Sequence, residues 1–189
     1  NLPSHIELVG DCGLVLAQLN DALGDWAQKL PEWRAQVQAW HDQHPLWGVR
    51  RGEEVPTDPD RVPKPQQVVQ AVQATFGSKA IICTDVGQHQ MWAAHYCTRT
   101  EPHTWLSSSG LGTMGFGLPA AVGAAIGRPD RDVVLVTGDG SIQMCIQELA
   151  TVVQESLPVK IVLLNNGYLG MVRQWQEMFY EGRYKEVDL

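Results

Sequence analysis

Asp139 and Asn166 are the two side chains of this sequence best suited to share a hard divalent cation. Each follows an apolar, β-branched run: Val133-Val134-Leu135-Val136 ends in Gly138-Asp139-Gly140, and Val159 to Leu164 ends in Asn165-Asn166. Carboxylate and amide oxygens suit Mg²⁺, which keeps octahedral geometry and commonly borrows further ligands from substrate or cofactor phosphates. A helix is expected to open at Ser141, and the N–H groups of Gly140, Ser141 and Ile142 then offer an anion site. No Lys or Arg lies between Asp132 and Val159, so a phosphate bound here would be neutralised by a metal and backbone dipoles. This argues against a P-loop, whose lysine is missing.

Two parallel strands joined by a helix would position these groups. Ile142, Ile146, Leu149, Val152 and Val153 recur at helical spacing up to Pro158. The stretch from Arg131 to Asn166 therefore reads as strand, turn, helix, strand. In such a βαβ unit the crossover is right-handed and both carboxyl ends lie on one sheet edge. Upstream, Val68, Val69, Val72 and Phe76 predict a helix closed by Gly77, followed by a short buried strand from Ala80 to Thr84. Asp85 to Gln90 then turns into another helix. Gln88 and His89 could each donate a hydrogen bond to an anion at that edge, although turns favour polar residues on their own account. Trp105 to Ser108 reads as a third strand, leading into the glycine-rich run from Gly110 to Ala121. The expected fold is α/β, a doubly wound, mostly parallel sheet with helices on both faces.

A rival reading attaches to the glycines. Gly110, Gly112 and Gly115 satisfy the dinucleotide fingerprint G-x-G-x-x-G between a strand and a helix, with Asp139 near where a ribose-binding acid belongs. Against a Rossmann site, that acid sits in its own Gly-Asp-Gly turn, and the Asn-Asn pair is left without a role.

Hydrophobic residues make up 44% and charged ones 19% of the 189, a globular composition with room for one good core and an appendage. A formal net charge of −7 argues against a general nucleic-acid surface. No apolar run approaches a membrane span and the first residues lack a signal-peptide pattern, which makes the cytoplasm the default location. Cys12, Cys83, Cys97 and Cys145 form no Cys-x-x-Cys pair and read as reduced thiols. His41 and His44 lie three apart on an expected helix, where a solvated face is the plainer reading than a metal site.

The first part of the chain reads as an appendage. His5 to Asp11 is expected to be a strand, followed by a helix over about Leu14 to Leu23. Together they look like the end of a preceding domain, as if the sequence were a piece of a longer polypeptide. Trp26, Trp33, Trp40 and Trp47 recur at seven-residue intervals, but Pro31 and Pro45 interrupt the run, so helix packing is expected rather than a coiled coil. Five prolines from Pro45 to Pro65 mark an extended linker. The expected division is 1–44, a linker over 45–64, and a main domain over 65–189.

Gly138-Asp139-Gly140, followed after about two dozen residues by Asn165-Asn166, resembles the thiamine-diphosphate motif in order, spacing and flanking elements. Longer strings resemble the catalytic subunits of acetolactate synthases, also called acetohydroxyacid synthases. These are Asp85 to Trp92, Ser109 to Pro119, Gly138 to Gln143 with Gln147-Glu148-Leu149, and Leu169 to Trp175, within residues 65 to 184. The resemblance implies Mg²⁺ held by Asp139, the side chain of Asn166 and the backbone carbonyl of Tyr168. It implies Gln88, His89, Gly140 and Ser141 on the cofactor diphosphate, with Gly138 in the same site. Met114 would prop the cofactor into its bent form, and the Gly112 carbonyl would meet the aminopyrimidine. Met171 and Trp175 would line the entry, Trp175 shaping the pocket for the second substrate. Core packing of a Met and a Trp one helical turn apart is their plain alternative.

The activity so implied is decarboxylation of pyruvate and its condensation with a second 2-oxo acid, pyruvate or 2-oxobutyrate, in branched-chain amino-acid biosynthesis. A homodimer or tetramer of catalytic subunits, FAD in the full-length protein and a small regulatory subunit belong to the same implication. The family's activating glutamate lies on a pyrimidine-binding domain of a partner subunit, and none of Glu148, Glu155 or Glu177 matches it. The 189 residues by themselves are therefore expected to be inactive. A related thiamine-diphosphate decarboxylase or oxidase is the alternative within the same cofactor class.

Overall fold

A computed structural model describes residues 3–24, 30–43 and 62–189. The chain divides into two compact units, residues 1–48 and 49–189. Trp26, His44, Trp47 and nearly all of the expected linker lie outside the described residues.

In the first unit, α1 (Cys12–Leu23) is opened by Asp11, whose side chain accepts the Leu14 N–H at 3.0 Å. The second helix, α2 (Pro31–Gln43), carries Trp33 and Trp40 edge to face with ring centroids 5.6 Å apart, as their seven-residue spacing allows. The strand expected over His5 to Asp11 does not form. No strand is present among the described residues of this unit, so an extended segment has no edge among them to bond with, and residues 5–11 lie exposed to solvent.

The second unit is built on four strands. Its first helix, α3 (Pro65–Phe76), starts at a proline and closes at Gly77, and it buries Val69 and Val72. After it come β1 (Ile81–Thr84), α4 (Gln88–Tyr96), β2 (Trp105–Ser107), α5 (Gly117–Gly127) and β3 (Val133–Gly138). The chain continues through α6 (Asp139–Gln143), α7 (Leu149–Gln154), β4 (Lys160–Leu164) and α8 (Gly170–Phe179). All neighbouring strands are parallel, in the order β2-β1-β3-β4. Alternation along β1 and β3 sends side chains to two cores. Ile81, Cys83, Val133 and Leu135 pack with Leu118, Ala121 and Ala125 of α5 on one face. Ile82, Val134 and Val136 pack with Val72 of α3 and Ala93 of α4 on the other. Both central strands are therefore buried along their whole length and mostly apolar, as a doubly covered parallel sheet requires.

This strand order sets the site. The chain leaves β1 in one direction to form β2 and returns on the other side of β1 to form β3. The loops after β1 and β3 thus part at the carboxyl edge, the crevice in which open α/β sheets bind ligands.

Two local expectations change. The single helix expected from Ser141 to Pro158 is broken into α6, a short 3₁₀ turn at Ile146–Glu148 and α7. The chain leaves helical angles at Cys145 (φ −138°, ψ 33°), where the glycine-rich loop packs at Gly115 against Met144 and Cys145. The run from Val159 to Leu164 is an edge strand, not a fully buried one. Ile161 and Leu163 are exposed while Val162 and Leu164 pack on the core.

Helix α5 comes so close to the sheet at its first residue that only glycine fits. A Cβ on Gly117 would lie 2.7 Å from the Asp85 backbone nitrogen and 2.8 Å from Leu135 Cδ1. Gly117→Ala is expected to destabilise this unit by about 1–3 kcal/mol, the usual cost of overpacking. A lowered urea midpoint at unchanged slope is the check. Among the described residues, no helix is long and apolar enough to cross a membrane.

Candidate functional site

Asp139 is the hub of the carboxyl edge. Its Oδ2 accepts the N–H groups of Asn166 (3.1 Å) and Gly167 (2.6 Å), and its Oδ1 accepts the Gly140 N–H (3.0 Å). These bonds fasten the loop after β4 to the end of β3. The expected convergence of Asp139 and Asn166 therefore occurs, but the direct bond uses the Asn166 backbone. The Asn166 side chain points its bonding elsewhere: Oδ1 accepts the Tyr168 N–H at 3.0 Å, and Nδ2 donates to Gln88 Oε1 at 3.5 Å.

The anion site expected at the helix start is smaller than the sequence suggested. Helix α6 has only five residues, the Gly140 N–H is taken by Asp139, and the Ser141 hydroxyl donates to the Val86 carbonyl at 2.6 Å. The carboxylate at the start of this short helix thus takes one of the three N–H groups expected to face an anion.

One cleft of about 170 Å³ gathers most of the singled-out residues. Gln88 and His89 reach it from the end of β1, and Gly112 and Met114 from the glycine-rich loop. Gly138, Asp139, Gly140 and Ser141 come from the end of β3, and Asn166, Tyr168 and Met171 from the loop after β4 and the start of α8. Trp175 is not brought in. The cleft takes only the first residues of α8, through Val172, while Trp175 is 59% exposed and lies tilted against Phe179, ring centroids 5.4 Å apart. Gly170 lets α8 approach: a Cβ there would strike Gln88 Oε1 and stand 2.7 Å from Asn166 Nδ2.

His89 is buried, and its Nε2 has no partner among the described residues. Burial pushes the imidazole down to about 4, against the opposing pull of the Asp85 charge, a hydrogen bond to the Asp85 backbone, and Asp139. His89 is therefore neutral at neutral pH. Because its folded pKa lies below the ordinary 6.5, the unfolded chain takes up the proton first. Stability is whole above that ordinary value and falls by up to ~3 kcal/mol as pH drops towards the folded one. His89→Asn is expected to remove this part of the acid sensitivity. Urea unfolding of both proteins at neutral and acid pH measures it, and equal pH dependence would contradict a buried neutral imidazole.

Two residues that support the cleft were given no role from the sequence. Asp85 is fully buried, and its Oδ1 accepts the N–H groups of Val86 (2.8 Å) and Gly115 (2.8 Å), while Oδ2 accepts that of Gly117 (3.3 Å). It pins the glycine-rich loop to the end of β1. The available signal was an acid closing an apolar strand with no basic residue near it in sequence, which leaves backbone N–H groups as its partners. Gln174 accepts from Gln88 Nε2 at 2.8 Å, a contact between α8 and α4 that no local pattern encodes.

The donor set fits a magnesium diphosphate. Asp139, Asn166 and Tyr168, whose carboxylate, amide and backbone carbonyl are hard oxygen donors, line one cleft together with His89, whose buried Nε2 has no partner among the described residues. No group of three or more His, Cys, Asp or Glu stands close enough to hold a metal among the described residues, so a softer transition-metal centre has no ligands here. Engagement of Asp139 by the Asn166 and Gly167 N–H groups also leaves it poorly placed to serve as a ribose acid.

Comparison with known families decides the matter: residues 85–189 match the family described as "Thiamine pyrophosphate enzyme, C-terminal TPP binding domain". The chain belongs to the thiamine pyrophosphate enzymes. Within this thiamine pyrophosphate family it is 46% identical over 185 residues to acetolactate synthase 3, chloroplastic, of Brassica napus, covering 96% of this chain and 27% of that protein. It is 45% identical over 183 residues to the acetolactate synthase isozyme 3 large subunit of Escherichia coli (strain K12), covering 97% and 31%. The chain thus spans less than a third of the length of these relatives. Among solved structures, benzoylformate decarboxylase from Polynucleobacter necessarius superposes with a TM-score of 0.64 at 25% identity, over 74% of this chain and 26% of that one.

Proposed function

We propose that this chain holds the diphosphate end of thiamine diphosphate and its Mg²⁺ in an acetolactate synthase. That enzyme would decarboxylate pyruvate and join the remaining two carbons to a second 2-oxo acid, pyruvate or 2-oxobutyrate, in branched-chain amino-acid biosynthesis. The observation that carries this reading is the meeting, in one cleft, of Asp139, Asn166 and Tyr168 with Gln88 and His89 from a different strand end.

The free lone pairs of these residues support them as the ligands. Asp139 Oδ2 already accepts two N–H bonds, whereas Oδ1 accepts one and keeps a lone pair for the ion. The Asn166 amide oxygen accepts the Tyr168 N–H and has a second lone pair, and Tyr168 would add its carbonyl. Gln88 has a second amide hydrogen beyond the one given to Gln174, free to meet a phosphate oxygen. His89, neutral, gives its single proton to the Asp85 backbone carbonyl, so it would donate to a phosphate oxygen only after that proton moves to Nε2. Gly138, Gly140 and Ser141 would border the diphosphate, Met114 would prop the bent cofactor, and the Gly112 carbonyl would meet its aminopyrimidine. Leu164, Leu169, Met171 and Val172 give the cleft apolar walls that exclude water. Thiamine diphosphate, when bound, supplies the electron sink for breaking and making the carbon–carbon bond.

The cleft is smaller than the ~300 Å³ at which small-molecule sites usually begin, and among the described residues no glutamate lines it. Both features suit a cofactor enclosed jointly with a second catalytic subunit, in a homodimer or tetramer, whose pyrimidine-binding domain brings the activating glutamate. FAD would bind elsewhere in the full-length protein, and a small regulatory subunit is a further partner on this reading. Its four free thiols suit a reducing compartment such as the cytoplasm.

The test is a product assay on the full-length protein with pyruvate, thiamine diphosphate and Mg²⁺. Acetolactate supports the reading, whereas acetaldehyde or acetate would assign a decarboxylase or oxidase. Calorimetric binding of NADH in place of thiamine diphosphate would return the glycines to a dinucleotide. The isolated 189 residues are expected to form no acetolactate.

A further inference from the structure

Arg173, on the second turn of α8, lies between two aromatic rings. Its guanidinium carbon is 4.2 Å from the centroid of the Tyr168 ring and 4.1 Å from that of Tyr184. A planar guanidinium can stack on both faces at once, which a lysine ammonium cannot reproduce. The two tyrosines belong to segments already laced together. Tyr168 bridges Asp188 in antiparallel fashion, the Leu169 N–H donates to the Val187 carbonyl at 2.8 Å, and the Leu189 N–H donates to the Gly167 carbonyl at 3.1 Å. Val187 is fully buried beneath this lacing. A second tie comes from the Gln176 side chain, which donates to the Lys185 carbonyl (3.1 Å) and accepts the Lys185 N–H (3.0 Å).

Given the proposed metal role of the Tyr168 carbonyl, we infer that Arg173 is a positioning residue for the metal loop. It holds the Tyr168 ring, and through it the peptide whose oxygen faces the ion, while residues 184–189 form the brace on the other side. Arg173 itself does not touch the metal. Its effect is on the entropy of the loop: without the stack, residues 166–168 must be ordered by the ion at the ion's own expense in affinity.

Titration of the full-length protein with Mn²⁺ in place of Mg²⁺, at saturating thiamine diphosphate, tests this. Free Mn²⁺ is read by electron paramagnetic resonance, independently of turnover. Arg173→Ala and Tyr184→Leu are each expected to raise the Mn²⁺ dissociation constant about two- to fivefold, in keeping with a cation–π contact whose rings are partly exposed. Arg173→Lys should fall between Arg173→Ala and the parent, and Tyr184→Phe, which keeps the ring, should match the parent. If Arg173→Ala does not fold, the contrast between Tyr184→Leu and Tyr184→Phe decides alone. Parent-like Mn²⁺ affinity in Arg173→Ala or Tyr184→Leu, with or without a lower urea midpoint, overturns the positioning role. Asp139→Ala, run in parallel, separates the two levels: loss of Mn²⁺ there with none in the Arg173 variants sinks only the brace. Parent-like affinity in Asp139→Ala means that the metal site itself was misplaced.

Discussion

Asp139→Ala is expected to weaken Mg²⁺-dependent binding of thiamine diphosphate by more than about a hundredfold, beyond the 10–100-fold typical of losing a group that merely supports a metal ligand. Two losses coincide. The carboxylate that would carry the only negative charge in the donor set disappears, and so do the bonds that pull the Asn166 and Gly167 N–H groups towards β3. Without them the loop after β4 has no tether to β3 at this point, and Asn166 and Tyr168 are no longer presented to the same space as Gln88. Asp139→Asn makes the distinction sharper. Its amide oxygen, set in the place of Oδ2, can accept both loop N–H groups but carries no charge, so the loop should stay largely in place while ion affinity falls. Calorimetry with thiamine diphosphate, with and without Mg²⁺, reads both. Equal affinity in Asp139→Ala and the parent would remove the cofactor assignment for this cleft.

Asp85→Ala is expected to cost about 3–5 kcal/mol of stability, on the scale of breaking a buried charged network. The carboxylate is fully buried and its partners are backbone N–H groups of Val86, Gly115 and Gly117. Removing it leaves those donors buried without acceptors, at about 1–3 kcal/mol for each that cannot reach water. Asp85→Asn should cost less than alanine, because one oxygen remains. It still places an NH₂ group against an N–H that needs an acceptor. Hydrogen exchange locates the effect: the Gly115 and Gly117 amides should lose protection first, followed by those of α5. If they stay protected while the urea midpoint falls, the loop is held by something other than Asp85.

The linear chain determined much of this. The short runs from Ala80 to Thr84 and from Val133 to Val136, followed by turns with Asp or Gly, read as buried strands because strands covered on both faces need no polar alternation. The Gly-Asp-Gly and Asn-Asn pair was legible because the two lie in one βαβ unit, whose geometry is local and forces both ends to one edge. Local spacing also gave α3 and its close at Gly77.

Tertiary structure decided the rest, wherever the outcome depended on which distant segment lies alongside. The order β2-β1-β3-β4 places the β1 end beside the β3 end, and so brings Gln88 and His89 to Asp139. Nothing in either stretch states that adjacency. Long-range packing also broke the helix after Asp139 where the loop at Gly115 meets Met144 and Cys145, and it left β4 exposed on one face. Asp85 and Arg173 have bonding or stacking partners dozens of residues away or on two separate segments, so their roles exist only once those segments meet. Periodicity records which face of an element is apolar, whereas hydrogen bonds and ring contacts between elements depend on distances that the sequence does not contain.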